Sequence, residues 1–208
     1  MTEVKQRSTI NVVAKVLSDM FRPTYFPMLG FVLLLIFTYL SMLPWQLKLS
    51  LLAMVYMMTI FLPAIGVYTY RRINHLTPQE LQLHHNRMVP YMLHIICYCI
   101  LLYVMNDIHA PVFISGIIVI SLLVQCICTV ITLWWKISIH SAGMGAIIGA
   151  LVAYSIIFQF NPVWWLCAAI LVSGLVNSSR MLLRQHTLGQ VMGGAFVGFL
   201  CGLTALFL

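Results

Sequence analysis

Two short polar motifs interrupt a chain that otherwise avoids charge. The first is Lys136-Ile137-Ser138-Ile139-His140. The second is Ser179-Arg180-Met181-Leu182-Leu183-Arg184-Gln185-His186, with Gln190 one helical turn beyond it. Each stands at the end of an apolar stretch long enough to cross a bilayer. Histidine carries protons or attacks as a nucleophile near neutral pH. Arginine grips phosphate oxygens through paired N–H donors. Two histidines beside Lys136, Ser138, Arg180 and Arg184 therefore describe a polar site for an anionic group, most simply a phosphate. Gln190, at i+4 from His186, shares a helix face with it.

Membrane helices must position these residues. Of 208 residues, 62% are apolar and 7% are charged, against about 45–50% and about 25% in soluble domains. Alternating β-barrel patterning is absent. The expected fold class is all-α: a polytopic transmembrane helical bundle of about seven spans, at ~20 residues each. The spans are expected near 26–43, 49–68, 88–106, 111–134, 141–160, 162–178 and 188–208. The first apolar run has no small-residue cleavage site after it and is read as a retained span. Residues 1–25 form an N-terminal segment ahead of the transmembrane domain, 26–208. Within it, Val12, Val13, Val16, Leu17, Met20 and Phe21 fit a short interfacial helix.

The net charge of +7 points to lipid headgroups or an anionic lipid substrate as partners. No basic stretch is long enough to grip a nucleic-acid backbone. The long polar connection, 69–87, holds Arg71, Arg72, His75, Glu80, His84, His85 and Arg87, and Pro78 there marks a helix start. With seven spans, the N-terminus, this loop and both histidine motifs share one face. Ten of the eleven Lys and Arg residues lie on it, Lys48 being the exception. By the positive-inside rule that face is expected to be cytoplasmic, in a bacterial inner membrane.

Other features have plainer roles. Cys97, Cys99, Cys126, Cys128, Cys167 and Cys201 sit within apolar runs and read as small apolar filler. His94 and His109 read as structural or interfacial. Trp134, Trp135, Trp164 and Trp165 fit the interfacial aromatic belt. Gly194, Gly198 and Gly202, and Gly145, Gly149 and Ala153, form small-residue stripes that let helices approach closely. Both stripes begin beside the histidine motifs, so their packing would bring His140 and His186 together.

The motifs resemble those of the type-2 phosphatidic acid phosphatase superfamily, K-x(6)-R-P, P-S-G-H and S-R-x(5)-H-x(3)-D. Ser138 and His140 match the second element, with Ile137 and Ile139 in place of Pro and Gly. Ser179, Arg180 and His186 match the third at full spacing, with Gln190 in the Asp position. For the first element, Arg87-Met88-Val89-Pro90 lies at a suitable distance, although Glu80 stands where Lys would. A literal K-x(6)-R-P at Lys15 to Pro23 is set aside, because two further spans separate it from the rest. The resemblance covers about residues 87–195.

It implies a lipid phosphatase acting on a phosphomonoester or polyprenyl diphosphate without metal or cofactor. His186 would be the nucleophile that forms a phospho-histidine, His140 the acid and then base, and Gln190 the partner of His186. Arg180, Arg87, Ser138, Lys136 and Arg184 would hold phosphate oxygens. Capture of the phospho-histidine by an alcohol would make the chain a lipid phosphotransferase. Loss of the orienting carboxylate would leave a weak enzyme, or an inactive lipid-binding protein of the same fold.

Overall fold

The computed structural model describes residues 12–37, 42–75 and 84–207, with 84–87 described by backbone alone. All regular structure among them is helical. Helix α1 covers 12–20. A 3-10 turn at Pro23–Tyr25 leads into α2, Phe26–Phe37. Helices α3, Trp45–Tyr56, and α4, Leu62–Ile73, are joined without a break through a π turn at Met57–Phe61. Then come α5, His84–Asp107; α6, Val112–Thr132; α7, Ile139–Ile157; α8, Val163–Leu182; and α9, Leu188–Leu203.

Six helical stretches among the described residues are long and apolar enough to cross a membrane: Trp45–Ile73, Met88–Asp107, Val112–Thr132, Ile139–Ile157, Val163–Leu182 and Leu188–Phe207. The expected first span contributes the twelve residues of α2, and its continuation over 38–41 lies outside the described residues. So does the helix expected around Pro78.

Two boundaries moved toward the polar motifs. Helix α8 runs on to Leu182 rather than ending near 178, and α7 starts at Ile139 rather than 141. Arg180 and His140 are thus helical residues, not turn residues. A hydropathy window closes at the first cation, but a helix continues past it, because a long side chain reaches the interface while its backbone stays helical. A cation in the last turn also suits the helix dipole.

The π turn has a local cause. Pro63 lacks the N–H that the Thr59 carbonyl would accept, and its ring crowds that carbonyl. The Leu62 N–H bonds instead five residues back, to Met57.

Helix α7 is the hub. It packs most closely on α9 and also meets α6 and α8, while α6 adds α2, α5 and α9. Half or more of the α6 and α7 spans is buried, whereas α8 and the α3–α4 rod expose most of their side chains. Exposed apolar residues such as Ile96, Leu171 and Phe196 suit lipid, where burial of apolar area no longer drives association and close fit does. The glycine stripes supply that fit. A Cβ at Gly194, Gly198 or Gly202 would strike the carbonyls of Ser138, Ala142 or Ala146, and one at Gly145 or Gly149 would strike those of Ala195 or Phe199. These backbones touch, so nothing larger than glycine fits.

Candidate active site

The tight α7–α9 contact sets the site. Ser138 is the N-cap of α7, and its N–H donates to the Gln190 carbonyl at 3.3 Å. The cap of one helix is thereby tied to the first turn of the next. Ile137 and Ile139, on either side of Ser138, are buried in the apolar core. They anchor the start of α7 where Pro and Gly stand in the resembling motif.

His186 lies between α8 and α9, and one side chain decides its chemistry. Gln190 Oε1 is 3.2 Å from His186 Nδ1 and also 3.2 Å from the Thr187 N–H. A backbone N–H can only donate, so the amide must turn its oxygen toward it. That oxygen then requires a proton on His186 Nδ1, which leaves the lone pair on Nε2. Thr187 and Gln190 together form a capping box at the start of α9. The Thr-x-x-Gln pattern that signals it stands in the sequence.

The turn into His186 is strained. Gln185 N–H bonds to the Arg180 carbonyl and Arg184 N–H to that of Met181, the pairing of a Schellman cap. Arg184 takes the left-handed position, with φ of 51°, where glycine is the usual residue. Lys136, Arg184, His186 and Gln190 border one open hollow of about 430 Å³.

His140 stands in the first turn of α7. Arg180, His186 and Arg22 all lie close enough to act on its charge, and its ring bonds to the backbone of Ser18. Arg180 Nη1 donates to Ser18 Oγ at 2.7 Å. The structure thus brings together His140, His186, Gln190 and Arg180, with Lys136 and Arg184 on the rim.

Helix α1 joins that group. It turns its small face inward, Ala14 and Ser18 at i and i+4, and leaves Val12, Val13, Val16 and Met20 exposed. The exposed side fits an interfacial helix, while the buried side delivers Ser18 to both Arg180 and His140. Arg22, one turn on, pairs with Asp19 at 2.8 Å. The Lys15–Pro23 match is distant along the chain, yet in space α1 lies on the site. The only sequence signals for Ser18 are the Ala14/Ser18 spacing and its place inside that match.

Ser138, expected to hold a phosphate oxygen, and Ser179, which matches the third motif element, both bond within their helices. Ser138 is fully buried, and its hydroxyl accepts from the Ser141 hydroxyl at 2.8 Å and the Ser141 N–H at 3.4 Å. The Ser179 hydroxyl donates back to the Leu175 carbonyl at 2.8 Å. Both serve their helices. Arg87 lies in the first turn of α5, and its side chain is outside the described residues.

Beneath the site lies a cavity of about 360 Å³ among α2, α6, α7 and α8. It starts at Phe21, Pro23 and Ile139, beside His140, and runs along α7 to Tyr154 and Phe158. Ile139 to Tyr154 is about 22 Å of helix, most of a ~30 Å hydrocarbon layer.

Compared with protein-family models, curated proteins and solved structures, the chain matches none of them.

Proposed function

We propose that the chain is an integral-membrane, metal-independent phosphatase that hydrolyses a lipid phosphomonoester or polyprenyl diphosphate. The observation that carries this reading is the shared Gln190 oxygen, which holds His186 as the tautomer a nucleophile needs. His186 Nε2 attacks phosphorus, the bond to the leaving oxygen breaks, and His140 supplies that oxygen with a proton. Water, deprotonated by His140, then releases phosphate from His186. Arg180, with Lys136 and Arg184 at the rim, offsets the phosphoryl charge. Arg22 joins them through its place beside His140. The apolar cavity under His140 suits the tail of a substrate that stays in the bilayer.

The test is phosphate release by purified protein in detergent with EDTA present, on phosphatidic acid, phosphatidylglycerol phosphate and undecaprenyl diphosphate. Release that survives EDTA and vanishes in His186→Ala supports the reading. No release above that variant on any of the three would overturn it.

A second reading, a lipid-binding protein with a weak or silent site, is favoured by one contact. Arg180 and His140 both bond to Ser18, so α1 holds groups that a phosphate would use. If α1 only competes with substrate, Ser18→Ala should lower KM several-fold with little change in kcat. If the site is silent, Ser18→Ala yields no phosphate release at all.

A further inference from the structure

The cavity wall is not uniformly apolar. Gln125 of α6 and Tyr98 of α5 both line it, at 8% and 3% exposure. Neither the Gln125 amide nor the Tyr98 hydroxyl has a hydrogen-bond partner among the described residues. Ser121, one turn from Gln125, also lines the wall; its hydroxyl donates to the Ile117 carbonyl at 2.8 Å and can still accept. Neither the Gln125 amide nor the Tyr98 hydroxyl belongs to the fully enclosed polar atoms that lack a partner, so both open onto the cavity, where an unmade hydrogen bond is costly. Here they face a space that a ligand can fill.

Their depth follows from a single bond. Tyr154 near the end of α7 donates to the Phe113 carbonyl near the start of α6, at 2.8 Å. The two helices run antiparallel, so equal lengths counted from that bond, about 18 Å, place Gln125 level with Ala142. Ala142 is one helical turn beneath Ser138 and two residues, about 3 Å, beyond His140. Tyr98, on the antiparallel neighbour α5, comes about level with Ser121, one turn deeper. A donor and acceptor pair thus stands just below the position of a phosphate, where headgroup becomes tail.

We propose that Gln125 and Tyr98 form a linkage-reading subsite that hydrogen-bonds the acyl ester carbonyls of a glycerol-based phospholipid. The inference rests on the reading of the His140–His186 face as a lipid-phosphate site. The ester carbonyls of an acylglycerol phosphate lie a few bonds from phosphorus, at the depth of this pair. The Gln125 N–H₂ and Tyr98 O–H can donate to them. A polyprenyl phosphate has only hydrocarbon there and would leave both groups unpaired. A site built to hydrogen-bond a ligand discriminates against the analogue that lacks the partner. The pair therefore selects between the two lipid classes that the phosphate site alone admits.

The test reads binding, so that it stands apart from catalysis. Thermal stabilisation of His186→Ala protein in detergent is titrated with dioleoyl phosphatidic acid, its diether analogue and a polyprenyl monophosphate. The ester lipid should bind about tenfold tighter than the diether, the worth of one buried hydrogen bond. Adding Gln125→Leu should erase that preference while leaving polyprenyl phosphate binding unchanged or improved, which also shows that the variant is folded. Adding Tyr98→Phe should weaken the preference in part. Equal binding of ester and diether lipid would overturn the subsite, as would an equal loss of all three ligands in folded Gln125→Leu protein. Ester-selective binding without hydrolysis by the wild-type protein would overturn the phosphatase and keep the subsite. Binding of none of the three would overturn both.

Discussion

Gln190 carries two duties that pull in one direction. As the third residue of α9 it accepts the Thr187 N–H, and the same oxygen faces His186 Nδ1. The tautomer is therefore held without a carboxylate, and only stabilisation of the charged imidazole is missing. Gln190→Asp should raise phosphate release about tenfold, the equivalent of ~1.4 kcal/mol off the barrier. Asp also suits the first turn of a helix. Initial rates on the preferred lipid check this, and unchanged rates would mean that charge at this position does not limit turnover. Arg184 offers a second residue-level test. Its φ of 51° places a non-glycine side chain in left-handed geometry, at about 1 kcal/mol or more. Arg184→Gly should raise the unfolding temperature in detergent. Because Arg184 also borders the His186 hollow, the same variant should raise KM. A rise in stability with KM untouched would reduce Arg184 to a turn residue.

Among the elements, the α7–α9 pair decides whether a site exists. The carbonyl of Ala142 occupies the space a Cβ at Gly198 would need, and backbone cannot rotate away as a side chain can. Gly198→Leu should destabilise the fold by about 3 kcal/mol or more and abolish phosphate release together with stability. Gly174, on the exposed side of α8, has nothing within 4 Å of an added Cβ. Gly174→Ala should be neutral or stabilising by up to ~1 kcal/mol. Thermal unfolding of the two variants side by side checks the contrast, and equal effects would show that α7 and α9 are not packed backbone to backbone. Helix α1 matters in another way. Its small face, not its apolar one, meets the protein, so a segment outside the six spans contributes Ser18 and Arg22 to the site.

At the scale of the molecule, alternation of the spans sorts the charges. The turns after α4, α6 and α8 share a face, and so carry Arg71, Arg72, Lys136 and Arg184 to one side. Lys48, near the start of α3, lies on the other. In a variant without native cysteines, single cysteines at Lys48 and Arg184 should label from opposite sides of the membrane. If the basic face is cytoplasmic, as the positive-inside rule expects, an impermeant maleimide on intact cells should reach Lys48→Cys and not Arg184→Cys. The reverse pattern would turn the site outward and give it a substrate from the other leaflet.

Composition and apolar run length were sufficient for the class of fold and for the helices from α3 to α9, because a bilayer demands long, internally hydrogen-bonded apolar helices. The turns that hold Lys136 and His186 were legible from the same runs. So was the reach from His186 to Gln190, because i and i+4 share a face in any helix. The glycine spacing at 194, 198 and 202, matched by that at 145 and 149, foretold the close contact between α9 and α7. Other facts required the folded chain. Ser138 and Ser179 are residue types that could bind phosphate, yet both hydroxyls bond within their own helices. Whether a hydroxyl points to a ligand or to a backbone depends on neighbours that a motif does not encode. The return of α1 onto Arg180 and His140 joins residues 162 positions apart, beyond any helical period. Gln125 and Tyr98 come from different helices and face one cavity only because α5, α6 and α7 pack in a particular register. Helical periods order neighbours within a turn or two. Contacts between distant segments are set by three-dimensional packing, and that is where the floor of the site and the cover over it were decided.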